Sequence, residues 1–572
     1  MYSKIRQCHM SIWFKGISYT DKDARQSSLI NDELVLGLSK YSNKSHHDGP
    51  ETNDIQDVII TDIRGIGSDF RFPVSTTSLI IHNLRSPFRY LPINFIPPGL
   101  KHLSLACLAF DHNDPFLVDT IESFELVTPK VTGQIVLPSG LKSFVHRVTK
   151  GNSGYIPFRF VPFSSLVSLT TLEMRVKDIE TGVLPASLTS LNLSFQDHLP
   201  KDFLKPLASL VNLELNAVMS YDTAANTGSS CLLDFRPLHS LKTLHFYYEF
   251  EDEGIPHGRP TLQYEPYTVD FIPATLHSLT IQYSSLACAA PLPSSLTYLD
   301  IGQCHGQLPV GLVPHGVTHL RIGSLGLGLQ KGSIPTSVTK LSLGYYNGPT
   351  TSSFLPDSIK QLSWNRKYRD GRVPLPKQLE KLEWAGKRFE PLYGSQLNGC
   401  PVTLTSLTIP MSIDYIPRGR NYIFSLSDHF PNYQDGDDNH HLLLPPSIKH
   451  LTCRIEMGPG ICCFRLDQVI NQTNVERLTI NFMNYNKHAS FDIKRLDENN
   501  SQILMVDRRS IFGGFITQQR RSNQQPQQQQ RQQQQPSEEA EEIQNNCNGY
   551  RPLYLCCGNS TNPFWSHQLP AT

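Results

Sequence analysis

Apolar residues recur at fixed distances after a proline along most of the chain. With the proline counted as position zero, they occupy positions +3, +6 and +8, as Leu296, Leu299 and Ile301 do after Pro293. The alternation of +6 and +8 predicts a short strand with one buried face, and the +3 residue packs where the chain enters that strand. The most regular copies advance by 20 or 21 residues and start at Pro293, Pro314, Pro335, Pro356 and Pro376.

One copy of this pattern, here called a coil, cannot fold alone. Burial of its few large apolar side chains does not offset the conformational entropy lost by about 21 residues. Neighbouring coils must therefore stack, with their strands paired in parallel about 4.8 Å apart. The predicted fold class is a repeat solenoid with a parallel β-sheet on one face, irregular loops on the other, and a period of about 21 residues. Gly302, Gly323 and Gly344 are expected to end three successive strands, where a sharp turn favours glycine.

Looser copies of the pattern extend it in both directions and define the domain organisation. A polar stretch rich in Asp, Asn and His interrupts the array, and an almost pure glutamine tract follows it. The predicted segments are a mobile N-terminal segment at 1–54, the solenoid at 55–482 with its most regular part at 273–384 and an insertion at 410–444, a C-terminal cap at 483–517, and a glutamine-rich disordered tail at 518–572.

Composition disfavours two classes of partner and leaves both as weak alternatives. The 51 basic and 51 acidic residues cancel, and the isoelectric point is about 7.3, so no global field attracts nucleic acid or an anionic membrane. No apolar run is long enough to span a bilayer, and the first residues lack the core of a secretory signal. We therefore expect a cytoplasmic protein without a membrane span.

No motif carries the residues of a known catalytic or metal site. Phosphate loops, nucleophile elbows, zinc helices and kinase signatures are all incomplete, so the sequence predicts no enzyme activity and no cofactor. The 12 cysteines lack the spacing of a zinc site. We interpret the adjacent pairs Cys462-Cys463 and Cys556-Cys557 as incidental thiols, with redox chemistry or palmitoylation as the alternative.

The candidate site is the outward face of the predicted sheet. Side chains at +5 and +7 alternate with the buried positions and point away from the core. Such a mixed polar row is typical of a solenoid surface that binds a protein, and also of a face that is merely solvated. The candidate residues are Tyr298, Asp300, His319, Arg321, Lys340, Ser342, Gln361, Ser363, Lys381 and Glu383.

The repeated pattern Leu-Pro-x-x-Leu-x-x-Leu-x-Leu-Gly resembles the FNIP repeats, a leucine-rich-repeat-like family. The resemblance extends from about Phe72 to Ile480, and the segment from Phe491 to Ile516 looks like the cap that follows such arrays. The eponymous Phe-Asn-x-Pro is mostly missing, and Tyr346-Asn347-Gly348-Pro349 is its nearest match. The resemblance implies a leucine-rich-repeat-like architecture and no particular activity.

Two functions follow as hypotheses from these observations. The first is a non-catalytic scaffold that binds an unidentified protein partner through the outward face. The alternative is a module that binds anions or nucleic acid through a basic track of His319, Arg321, Lys340 and Lys381. The sequence sets neither the partner nor the oligomeric state.

Overall fold

A computed structural model gives the fold, and the chain divides into two compact units, Met1–Leu296 and Thr297–Thr572. The predicted N-terminal segment 1–54 lies outside the described residues. The structure describes residues 57–60, 72, 75–84, 96–107, 117–128, 130–131, 133–148, 155–156, 160–177, 179–180, 182–196, 199–200, 202–219, 231–250, 267–281, 292–304, 308–325, 329–346, 355–366, 374–384, 400–411, 422–430, 442–456, 461–483, 487–507, 513–518, 550–557 and 564–566.

The first unit contains one long parallel sheet. Its strands are β1 (Asp57–Ile60), β2 (Ser78–Leu84), β3 (His102–Cys107), β4 (Ser123–Val127), β5 (Ser143–Arg147), β6 (Thr171–Val176), β7 (Ser190–Phe195), β8 (Asn212–Met219), β9 (Cys231–Asp234), β10 (Thr243–Phe250), β11 (Tyr267–Phe271) and β12 (Ser278–Ile281). β1 to β8 pair in chain order, β8 pairs with β10, and β10 pairs with β12. β9 and β11 form a separate parallel pair. A 3-10 helix spans Phe163–Ser165.

The second unit continues the same construction with a second, smaller sheet. Its elements are β13 (Tyr298–Cys304), β14 (His319–Leu325), β15 (Lys340–Tyr346), β16 (Gln361–Arg366), β17 (Lys381–Trp384), β18 (Ser406–Met411), β19 (Tyr422–Phe424), α1 (Leu426–His429), β20 (His450–Ile455), β21 (Cys462–Arg465), α2 (Leu466–Gln472), β22 (Arg477–Phe482), β23 (Lys487–Arg495), β24 (Gln502–Asp507), β25 (Gly513–Thr517), β26 (Tyr554–Cys557) and β27 (Phe564–Ser566). The predicted solenoid with a parallel sheet is confirmed.

Pairing in the second unit follows chain order with two side branches. β13 to β18 pair in parallel, followed by β20 and β22. The segment that the sequence assigned to a cap forms β23, β24 and β25, which pair antiparallel and extend β22. β19 pairs in parallel with β21, and β26 lies antiparallel between β21 and β27.

The core consists of apolar columns that run across the strands. The +6 residues Leu299, Leu320, Leu341 and Leu362 lie directly opposite one another in the register, and each is at most 2% exposed. In the +8 column, Trp364 lies opposite Trp384, and their ring centroids are 6.2 Å apart. The predicted alternation is thus the one that the structure buries.

Backbone and hydroxyl groups join consecutive coils at their entrances. In each regular coil the +3 amide donates to the carbonyl of the entrance proline, for example Val338 to Pro335 at 3.1 Å. A hydroxyl at +2 donates to the +3 carbonyl of the preceding coil, as Ser337 does to Val317 at 2.8 Å and Ser358 to Val338 at 3.0 Å. These bonds satisfy carbonyl groups that burial between coils would leave unpaired.

The three glycines lie inside strands β13, β14 and β15, and do not end them as the sequence predicted. Gly302 is followed by two further strand residues, and the neighbouring pairs of β13 and β14 stay in register on both sides of it. The glycines are needed because they stack on one another. A β-carbon at Gly344 would lie 2.6 Å from the carbonyl carbon of Gly323, and one at Gly323 would meet Gly302 in the same way.

Two other predicted segments differ from the structure. The insertion 410–444 contains β19, in which Phe424 is buried, and α1, which is followed by the buried Phe430, while its acidic stretch 431–441 lies outside the described residues. In the predicted disordered tail, residues 550–557 and 564–566 instead carry β26 and β27. Tyr550, Leu553 and Leu555 explain this order, because each is buried and supplies the apolar area that a glutamine tract lacks.

We expect the substitution Gly344→Ala to destabilise the second unit by about 1–3 kcal/mol, because a backbone carbonyl occupies the place of the added methyl group. Urea unfolding followed by circular dichroism measures the change. Gly140→Ala is the matched control, since a β-carbon there lies 3.7 Å from the nearest atom, the oxygen of Asp119. Equal unfolding midpoints for the two variants would contradict the stacking of the glycines.

His146 provides a test of stability against pH. Its ring is 3% exposed and its Nε2 lies 3.1 Å from the oxygen of Thr128. Burial, together with the charge of Arg175, lowers the pKa of His146 from 6.5 to about 4. Between these two pKa values the folded state therefore binds fewer protons than the unfolded state. The contribution of the neutral His146 ring to stability is thus present above pH 6.5 and is lost as the pH falls toward 4.

We accordingly expect the free energy of unfolding of the native chain to fall, relative to that of His146→Gln, by on the order of 2 kcal/mol as the pH is lowered from 7 to 5. Glutamine keeps an amide donor but does not titrate. Urea unfolding of both chains at the two pH values measures this change. Parallel stability profiles would show that His146 does not titrate differently on folding.

Candidate functional site

The strands β13 to β17 align the ten candidate residues in two rows. Parallel register places each +5 residue opposite the next +5 residue, and each +7 residue opposite the next +7 residue. The +5 row consists of Tyr298, His319, Lys340, Gln361 and Lys381. The +7 row consists of Asp300, Arg321, Ser342, Ser363 and Glu383.

These rows line an open groove with a volume of about 220 Å³. Nine of the ten candidate residues contribute to it, and Asp300 is the exception. Leu320, Leu341 and Leu362 at +6 also border it, although their side chains are at most 2% exposed and belong to the core. An open groove lined by polar side chains of mixed chemistry suits a bound polypeptide.

Asp300 corrects the prediction that both rows are exposed. Its side chain is only 6% exposed, whereas that of Arg321, its partner in register, is 59% exposed. The Nε of Arg321 lies 3.7 Å from Oδ2 of Asp300. Burial raises the pKa of the Tyr298 hydroxyl, and the Asp300 carboxylate adds to the rise. Asp300 thus positions Tyr298 and Arg321 at the edge of the groove.

The two lysines of the groove differ from Arg321, because the described part of the chain provides no acidic partner for either. Among the described residues, no carboxylate lies within ion-pair distance of Lys340 or Lys381. The nearest acid of the +7 row, Glu383, pairs with Arg454 of β20. Gln361 separates the lysines in the register, which places their backbones about 10 Å apart at the usual strand spacing.

His319 adds no positive charge to this pair at neutral pH. Burial, and then the charge of Lys340, lowers the pKa of its ring. Its Nδ1 lies 2.9 Å from the hydroxyl of Thr318. The basic track predicted from the sequence therefore contains three cations and one neutral imidazole.

The corresponding face of the first unit is paired within itself. Arg147 on β5 bridges Glu125 and Glu173, at 2.9 Å to each carboxylate. Glu214 on β8 follows in the same row, and burial together with Glu173 raises the pKa of its carboxyl. Arg147 is therefore already paired with two carboxylates, unlike Lys340 and Lys381, for which the described residues provide no acidic partner.

One further residue of the site was missed by the sequence reasoning. Arg454 lies two residues beyond Thr452, which continues the +7 row on β20, and it pairs with Glu383 across the intervening β18. Alternation along β20 would have predicted that Arg454 lies on the same face as Thr452. Only the strand order, however, shows that β20 lies close to β17.

The described residues offer no cluster that could hold a metal ion. Within the ranges given above, no group of three or more His, Cys, Asp or Glu side chains is arranged to hold a metal ion. No helix of that part of the chain is long and apolar enough to cross a membrane.

Comparison with known proteins gives one family match and distant structural neighbours. Residues 328–366 match the FNIP Repeat. No curated protein matches the chain. One similar solved structure is CroV588, described as a novel circular LRR protein, with 18% identity, a TM-score of 0.29, and coverage of 72% of this chain but only 66% of that one, just under two thirds. Another is the plant peptide hormone receptor RGFR1 in complex with RGF2, with 13% identity, a TM-score of 0.24, and coverage of 74% and 76%.

TM-scores this low do not establish a shared overall shape, so the architecture rests on the strands of this chain. The family match covers the end of β14's coil, all of β15 and its coil, and β16. The same entrance proline and apolar columns recur in the coils on either side. The chain therefore contains an FNIP repeat at residues 328–366, within a series of similar coils that form a parallel sheet.

Proposed function

We propose that the protein is a non-catalytic interaction scaffold that binds a protein partner through the groove of β13 to β17. The observation that carries this proposal is the pair Lys340 and Lys381, two exposed cations in the groove for which the described residues provide no acidic partner. A protein segment that carries carboxylates about 10 Å apart would pair with both lysines. As part of this proposal, the protein acts in the cytoplasm, the location expected from the sequence.

A binding role fits the groove better than a catalytic one. Within each row, the side chains come one from each strand at intervals of about 4.8 Å, and neighbours in a row differ in chemistry except for Ser342 and Ser363. Catalysis requires a nucleophile or acid positioned against a base. In the groove, the pKa values of Tyr298 and His319 both shift away from neutrality, which weakens either residue as an acid–base catalyst at physiological pH.

Charge favours a protein partner over nucleic acid. Arg321, Lys340 and Lys381 carry three positive charges, and Asp300 and Glu383 carry two negative charges, which leaves one net positive charge along the two rows. Nucleic-acid binding depends on many cations that displace condensed counterions. One net charge supplies little of that free energy, while two spaced lysines suffice for a specific carboxylate pattern.

We expect a photo-reactive amino acid at Gln361, between the two lysines, to cross-link a protein partner in cells that produce the native chain. The double substitution Lys340→Glu and Lys381→Glu should reduce that adduct at least tenfold, because it replaces attraction of carboxylates by repulsion. Mass spectrometry of the covalent adduct measures the yield and identifies the segment attached.

The matched control reverses two lysines that are exposed but outside the groove, Lys331→Glu and Lys205→Glu. The control should leave the Gln361 adduct unchanged and should match the first variant in circular dichroism. A loss of the adduct in both variants would point to net charge alone. Absence of any protein adduct, or its persistence after both groove lysines are reversed, would refute the proposal.

A second measurement tests the alternative function. We expect labelled single-stranded RNA to bind weakly, with a salt dependence corresponding to at most about three phosphate contacts. Fluorescence anisotropy between 50 and 200 mM salt measures it. A steep loss of tight binding with salt, abolished by the groove substitutions, would establish the anion-binding module in place of the scaffold.

A further inference from the structure

Two pairs of adjacent cysteines, far apart in sequence, meet on neighbouring strands of the second unit. Antiparallel pairing of β21 with β26 places Cys463 opposite Cys556 and Cys462 opposite Cys557. Because side chains alternate along a strand, the first pair lies on one face of this small sheet and the second pair on the other. The four cysteines are thiols in the structure.

The geometry of the first pair suits a disulfide. The sulfur atoms of Cys463 and Cys556 lie 3.0 Å apart and both side chains are fully buried. Residues directly opposite in an antiparallel pair have Cα atoms about 4.5–5.5 Å apart, and disulfides span about 4.4–6.8 Å. A bond between these sulfurs therefore requires little movement of the backbone.

Surrounding contacts hold the two strands in this register. The amide of Leu466 donates to the carbonyl of Leu553 at 2.8 Å. The buried carboxylate of Asp467 accepts hydrogen bonds from the Arg465 side chain at 2.9 Å and from the Leu553 amide at 3.3 Å. Because a buried ion pair tolerates little displacement, the segment that carries Cys556 is fixed against β21.

The two thiols also differ in acidity in the way that thiol–disulfide exchange requires. A hydrogen bond between the sulfurs raises the pKa of Cys463 and lowers that of Cys556. Cys556 is thus the more acidic thiol of the pair and the one that more readily forms a thiolate. Cys463 is the neighbouring thiol that can attack a mixed disulfide formed at Cys556.

We propose that Cys463 and Cys556 form a reversible disulfide that ties β26 to β21, with a low-molecular-weight disulfide such as glutathione disulfide as the oxidant. Local opening of β26 exposes the otherwise buried Cys556, and its thiolate then attacks one sulfur of the oxidant and releases one glutathione. Cys463 then attacks the Cys556 sulfur of the mixed disulfide and releases the second glutathione. Two protein thiols lose two electrons and two protons, and the oxidant becomes two thiols.

The bond would close a loop of 93 residues between its two ends. That loop contains the cap strands β23 to β25 and the glutamine tract from Gln524 to Gln535. In the reduced protein only non-covalent contacts hold β26 in place. Oxidation would therefore fix the far end of the glutamine-rich stretch to the solenoid, and reduction would free it to separate.

Two double variants of the full chain test the proposal. Cys462→Ser with Cys557→Ser keeps the proposed pair, and Cys463→Ser with Cys556→Ser removes it while keeping the other. After incubation with glutathione disulfide and unfolding in alkylating reagent, we expect the first variant to show a peptide joining Cys463 to Cys556, with the loss of two hydrogen atoms. Reduction should return both thiols to alkylation.

Hydrogen exchange measures the consequence for the strand. Amides of Tyr554–Cys557 should exchange at least tenfold more slowly in the oxidised first variant than in the same protein after reduction. The second variant should show no such difference. If Cys463 and Cys556 stay fully alkylatable or end as separate mixed disulfides, the proposal is wrong. It is also wrong if oxidation leaves exchange in β26 unchanged.

Discussion

In-register pairing of identical coil positions is the constraint on which the rest of this structure depends. A coil buries too little apolar surface to fold alone, so its leucines must lie against those of the next coil. Leu299, Leu320 and Leu341 show the result, since each is paired with the next in register and each is almost completely buried. Every other position of the coil is aligned in the same way. The neighbours of each side chain are therefore the side chains at the same position in the preceding and following coils.

Alignment of identical positions explains features that one coil cannot. Stacked glycines allow the backbones of β13, β14 and β15 to approach where a β-carbon would overlap a carbonyl group. β16 has Asn365 directly after Trp364, without a glycine, and the register between β15 and β16 shifts at that point, at Gly344. The hydroxyl bonds at the coil entrances arise in the same way, because a carbonyl of one coil always faces the +2 residue of the next.

The sequence predicts this fold well because its signal is local and repeated. Proline, +3, +6 and +8 mark the turn, the core and the strand, and the structure buries those positions. Properties set by neighbouring coils were harder to predict. The burial of Asp300 depends on Arg321 in the next strand, and the order of β26 depends on contacts with β21, 93 residues away between Cys556 and Cys463. Alternation alone describes neither relation.

The same constraint gives the candidate groove its chemical character. Each charged side chain has neighbours about 4.8 Å away on both sides, so its partner is decided by the order of the coils and not by its own sequence environment. In the first unit this order brings Glu125, Arg147 and Glu173 together, and their charges are satisfied. In the second unit Gln361 separates Lys340 from Lys381, and no acid is adjacent within the described strands. Substitutions that leave the core unchanged can therefore alter which charges remain for a partner, which makes the solenoid a stable support for a variable binding face.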